Sequence, residues 1–206
     1  MSIHEPATLI TDGLLAVLGL ALAGVMRRRV GLNHPATLWW CRALMAMALG
    51  ACLGGLYHGF APNFPPWVDG VWWRLVLVNL CLIGLTMGLS LTHELGLPEC
   101  WRRVVCGKCL VTVVAVMLWP DFVVAILDYG SAMVMWLIAA LIVRRGWSLY
   151  MASAVVLSGV AAWVQQSGVC LSAAFNHNDL FHVIQTLALI GFFQAGVRLG
   201  TCRMDE

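Results

Sequence analysis

Phe175-Asn176-His177-Asn178-Asp179-Leu180-Phe181-His182-Val183-Ile184-Gln185 sets two histidines, two asparagines and an aspartate at the mouth of an apolar run that reaches Leu199. Ionisable groups at the head of a membrane helix are costly, so they point to function by default. His182 follows Asp179 by three residues and Asn178 by four, which places the three side chains on one helical face. Asn178 or Asp179 suits the N-cap, with His177 just ahead of the first turn. The stretch therefore reads either as part of a metal site or as a capped helix start whose polar residues meet water.

Working outward, the rest of the chain is of the same apolar kind. Of 206 residues, 61% are hydrophobic and 11% charged, and the mean hydropathy is +0.87. A soluble domain carries about 25% charged residues, so the sequence reads as an all-α integral membrane protein. Since a span needs about 20 apolar residues, seven spans are expected, near 9–26, 36–60, 68–91, 101–118, 122–143, 147–165 and 180–199. They form one domain over residues 1–206, with Trp119-Pro120-Asp121 as a tight turn between spans four and five. The chain start lacks the basic region of a cleavable signal.

Charge gives the expected orientation. Arg27, Arg28, Arg29, Arg42, Arg102, Arg103, Lys108, Arg144, Arg145, Arg198 and Arg203 fall toward one side, and Arg74 is the exception. The positive-inside rule then puts the N terminus outside and the C terminus in the cytoplasm. These charges mark topology, and no nucleic-acid partner is expected. A bacterial inner membrane is the expected location, with a eukaryotic endomembrane second. The eight cysteines form no framework. Cys106-Gly107-Lys108-Cys109 has no second pair beside it and carries no redox or zinc expectation of its own.

Sorted by side, His34 and His93 read as solvated cytoplasmic loop residues. His4, His58, His177 and His182 share the outer end with Asp69 and Asp179, and Asp12 lies one to two turns into span one. Asp128 and Arg74 lie at similar depth and are expected to pair. Most tryptophans, including Trp40 and Trp147, fall near span ends and read as interfacial belts. Imidazoles with a carboxylate suit zinc, and zinc-bound water ionises near pH 7 (about 7). His58 and His182 on two spans also suit the axial positions of a haem, which would make the chain an electron carrier.

The layout resembles the CREST superfamily of seven-span membrane hydrolases and receptors, which includes alkaline ceramidases and the progestin and adiponectin receptors. Its pattern is Ser-xxx-His at the end of span two, Asp near the start of span three, and His-xxx-His in span seven. Here Gly54-xxx-His58 has glycine for the serine, Asp69 follows His58 by eleven residues, and Asn178-Asp179-Leu180-Phe181-His182 has asparagine at the first histidine. The resemblance implies a zinc-dependent hydrolase of a lipid-like amide or ester, working among membrane lipids. Zinc would be held by His58, His182 and, one position off register, His177. Asp69 and Asp179 would be the catalytic carboxylates, Asp179 being also the second choice for the third ligand. Outside the family pattern, His4 and Asp12 are candidates to support the site from the same end, as is Asn178. Ser172 or Asn176 are candidates for the missing serine's role. A receptor or scaffold with a structural metal is the non-enzymatic alternative.

Overall fold

The structure is a computed structural model that describes residues 2–172 and 175–200. Among them are seven α-helices: α1 (Pro6–Val30), α2 (Pro35–Phe60), α3 (Pro66–Glu94), α4 (Glu99–Leu118), α5 (Phe122–Val143), α6 (Ser148–Ser167) and α7 (His177–Gly196). A 3₁₀ turn, Ala61–Asn63, follows α2, and an isolated bridge pairs Ser172 with Phe175. Each helix matches one expected apolar run within a few residues. The class is thus all-α.

The ends follow local chemistry. Proline stands in the first turn of α1, α2 and α3, where its missing N–H costs nothing and its fixed φ suits the helix. Asp121 caps α5 by accepting from the Val123 N–H at 2.8 Å. Gly31 and Gly168, with φ of +66° and +68°, stop α1 and α6, a backbone conformation that glycine adopts at no steric cost.

Five helices, α1, α2 with its 3₁₀ extension, α3, α5 and α6, are long and apolar enough to cross a membrane. The other two are 20 residues each but are diluted by Arg102, Arg103 and Lys108 in α4 and by the polar start of α7. Packing closes a ring in which α1 touches α2 and α7, α2 touches α3, α3 touches α5, and α6 bridges α5 and α7. α4 lies outside the ring against α3 and α5, and only its Cys109 and Val116 are buried.

The half of the ring holding the end of α1, the start of α2 and the end of α3 is filled by aromatics. Trp136 packs edge-on to Trp40 (centroids 5.1 Å) and to Trp147 (5.2 Å). Trp40 and Trp147 are fully buried, which corrects the expectation that they belong to interfacial belts. Their N–H groups explain how: Trp40 donates to the Phe192 carbonyl at 2.9 Å and Trp147 to Glu94 Oε1 at 2.8 Å. A tryptophan whose one donor is satisfied can give its whole surface to a core.

Two further expectations change. Asp128 pairs with Lys108 (3.1 Å), not with Arg74, and also accepts from the Thr112 hydroxyl at 3.0 Å. Arg74 donates instead to the Met117 and Gly70 carbonyls. Lys108 is the tenth of the 20 residues of α4, at the middle of that helix and not at its basic end. A buried carboxylate selects the cation that geometry brings within reach, and α4 brings Lys108. Arg203 lies outside the described residues.

Candidate functional site

On α1, Thr8, Thr11, Asp12 and Leu15 recur at helical spacing and form one face. That face packs on the start of α7. α7 begins two to three residues earlier than its sequence implies. Asn176 is the N-cap: its side chain accepts from the Asn178 and Asp179 N–H groups, and Asp179 Oδ2 accepts from the Asn176 N–H at 2.6 Å. This reciprocal pair is a capping box, and it makes His177 the first residue of the helix.

The two faces meet through polar side chains. Asp179, 1% exposed, takes the Thr8 hydroxyl on Oδ1 at 3.0 Å, so both its oxygens are engaged in holding α7 to its own N-cap and to α1. His182, 5% exposed, has Asp12 Oδ1 at 3.1 Å from Nε2 and the Thr11 hydroxyl at 3.0 Å from Nδ1. With Nε2–H donating to Asp12, a neutral ring leaves Nδ1 to accept from Thr11, whose single hydroxyl proton also reaches the Thr8 carbonyl at 3.1 Å. Glu5 Oε2 collects three neighbours: Thr8 Oγ1 at 3.0 Å, His58 Nδ1 at 3.4 Å and Asn178 Nδ2 at 3.5 Å. The Thr8 hydroxyl has one proton for two carboxylates.

Beside this seam lies a cavity of about 610 Å³. His58, His177 and His182 all line it, with Asp12, Asn178 and Gln185. Deeper in, its wall is apolar, built from residues such as Leu80, Ile83, Met133 and Leu189. Asp12 is 3% exposed, and its Oδ2 has no hydrogen-bond partner. Gln185 Oε1, on the same wall, is likewise buried and unpartnered.

Glycines on α2 make room for Asp12. A Cβ on Gly55 would sit 2.7 Å from Asp12 Cβ, closer than real contacts allow, whereas one on Gly54 would meet nothing nearer than Asp12 Oδ2 at 3.8 Å. Gly54, which stands where the CREST pattern has serine, therefore faces the free oxygen of a carboxylate from α1.

The remaining candidates lie apart. Asp69 is in the first turn of α3 beside the Tyr57 hydroxyl and does not line the cavity. His4 is exposed; its ring contacts Ser2 Oγ at 3.2 Å, and its N–H donates to the Gly59 carbonyl at 3.1 Å. His177 Nδ1 is 3.9 Å from Cys170 Sγ. Among the described residues no three His, Cys, Asp or Glu side chains converge as a metal site, and both ring nitrogens of His182 are in use.

Thr8, Thr11 and Gln185 emerge as site residues that their types alone did not single out. Their signal was positional: the threonines stand four and one residues before Asp12, and Gln185 three after His182, each on the polar face of its helix.

At the other end of the ring, Glu94 is as buried as Asp12 but fully served. Its Oε1 accepts from Trp147 and Arg145, and its Oε2 from the Gly200 N–H at 2.9 Å. His34 and His93, expected in solvated loops, line a small recess beside it.

These features define the class: an all-helical protein with five helices suited to crossing a membrane and a cavity that is polar at one end. Residues 7–201 match a family described as a family of unknown function (DUF6962), and the chain belongs to that family. No curated protein and no solved structure matches it.

Proposed function

We propose that this chain is a seven-span integral membrane protein, N terminus outside and C terminus cytoplasmic, that takes a lipid-like small molecule into the cavity beside α1 and α7. The observation that carries the reading is the cavity's division: buried polar groups at the end where α7 begins, apolar side chains along the rest. Small-molecule sites are of this size and kind, mostly apolar with a few placed polar groups. A ligand with a polar head and a hydrocarbon body matches both parts.

Two features support seven spans. At 1.5 Å per residue, the 20 residues of α4 and α7 reach about 30 Å, the thickness of a bilayer's hydrocarbon core. The charge at the centre of α4 is neutralised by Asp128. The orientation follows from Arg27–Arg29, Arg102, Arg103, Arg144 and Arg145, which gather at one end of the helices.

Lipid extracted from protein purified in a mild detergent tests the reading. A lipid-like species retained by wild type and lost from a cavity-filling Gly54→Trp variant is the expected result. Equal retention by the two would overturn it.

A zinc-dependent hydrolase of the CREST type, cleaving a lipid-like amide or ester, is the second reading, favoured because His58, His177 and His182 line one cavity. Zinc would supply a metal-activated water there. Metal analysis decides: about one zinc per chain, lost in a His58→Ala, His182→Ala variant, is what this reading requires.

A further inference from the structure

We propose that the headgroup this cavity receives is an alkylammonium, and that Asp12 is the residue that binds it. The inference rests on the ligand-binding reading of the same cavity and names the ligand's chemistry.

The first ground is hydrogen-bond accounting. Buried polar atoms are almost always paired, yet two that face this cavity are not, Asp12 Oδ2 and Gln185 Oε1. Both are acceptors. Gln185 Oε1 can only accept, and so can Asp12 Oδ2 once ionised; a cationic donor in the cavity would complete both and would itself favour the ionised form of Asp12. Gln185 stands three residues beyond His182, about 4.5 Å further along the axis of α7. The two acceptors therefore lie at different depths, with the apolar wall beyond them.

The second ground is charge. Glu5, Asp12 and Asp179 meet at this seam, and among the described residues no lysine or arginine forms an ion pair with any of them; the basic groups beside Glu5 and Asp12 are the His58 and His182 rings. A buried carboxylate without a cation is expensive. A fatty acid would bring a further carboxylate to a seam that already holds three, and an alcohol would bring a donor without charge. A protonated amine brings both.

The third ground is the wall. Tyr57 and Trp73, with ring centroids 5.3 Å apart, line the cavity with Phe122 and Phe181. Aromatic surfaces attract cations, most strongly where water is excluded. Opposite the free oxygen, Gly54 presents no side chain, which leaves space for the headgroup.

Dodecylamine, dodecanol and dodecanoate titrated separately against the protein in lipid nanodiscs, with empty nanodiscs subtracted, test the inference. The amine is expected to bind at least about tenfold tighter than the alcohol, because its contact with Asp12 is charge-assisted. Dodecanoate is expected to bind weakest. In Asp12→Asn the amine should lose its advantage over the alcohol. An alcohol or acid that binds wild type as tightly as the amine overturns the inference but leaves a lipid-binding cavity. An amine preference that survives in Asp12→Asn also overturns it. Binding of none of the three overturns the cavity reading as well. The wild-type ranking stands as a test even if the Asp12 variant does not fold.

Discussion

Glu94 and Asp12 are both buried carboxylates near opposite ends of the same ring, and their surroundings differ in one respect. Glu94 is enclosed by Trp147, Arg145 and the Gly200 N–H, with acceptor and donor matched at each oxygen. Asp12 has one oxygen on His182 and the other facing a cavity with no partner. One carboxylate completes a packed end built on Trp40, Trp136 and Trp147; the other borders a hollow. A satisfied buried charge serves architecture, and an unsatisfied one against open space is free to meet a ligand.

The sharpest way to break this contrast is at the packed end. Glu94→Ala strands the Trp147 N–H, the Gly200 N–H and the half-exposed Arg145, and each unpaired buried group costs about 1–3 kcal/mol. Thermal unfolding in detergent should register a loss of about 3 kcal/mol. A loss below about 1 kcal/mol would mean that Glu94 is not structural. Next comes Gly55→Ala, whose added methyl meets Asp12 Cβ and should cost about 1–3 kcal/mol through overpacking, read in the same melt.

Removing the cap of α7 is smaller. Asn176→Ala should lower stability by about 1 kcal/mol, and an unchanged melt would argue that the capping box is incidental. Smaller again is Gly54→Ser, which restores the serine of the CREST pattern. Its Cβ has ordinary room, so stability should shift by less than about 0.5 kcal/mol, and a large loss would show that Asp12 lies closer to α2 than described. Asp12→Asn closes the series. Asparagine keeps an acceptor for His182, so stability should change by under about 1 kcal/mol, while the preference for an amine ligand disappears. If the Asp12 change proves as destabilising as Glu94→Ala, the two ends do not differ as argued.

Much of this architecture was legible because composition and punctuation act locally. Runs of about 20 apolar residues separated by Pro6, Pro35, Pro66, Pro120 and Gly168 mark the helices without reference to any neighbour. The grouping of His58, His177 and His182 at one end followed from alternating helix direction alone, and the structure sets all three on one cavity. The distribution of partners was not legible. Asp128 takes Lys108 over Arg74, and Trp40 and Trp147 go inward, because each choice depends on which helix lies next to which.

The same distinction applies to the aspartates. Sequence spacing from His58 draws attention to Asp69, yet Asp12, on a helix remote in sequence, is the carboxylate beside His182. Thr8, Thr11 and Asp12 share one face of α1, and only the packing shows that this face meets α7.

What the sequence by itself determined is therefore the helical class, the count of the helices and their limits to within a few residues, and the end at which the histidines collect. All of these follow from hydropathy and backbone chemistry within single segments. Only the tertiary structure decided that α1 lies against α7, that Asp179 is spent on a capping box and Thr8, and that Asp12 is left with a free oxygen over a cavity. Those facts depend on distances between segments up to 171 residues apart, and a pairing across that separation is written in the packing of surfaces and in no local pattern.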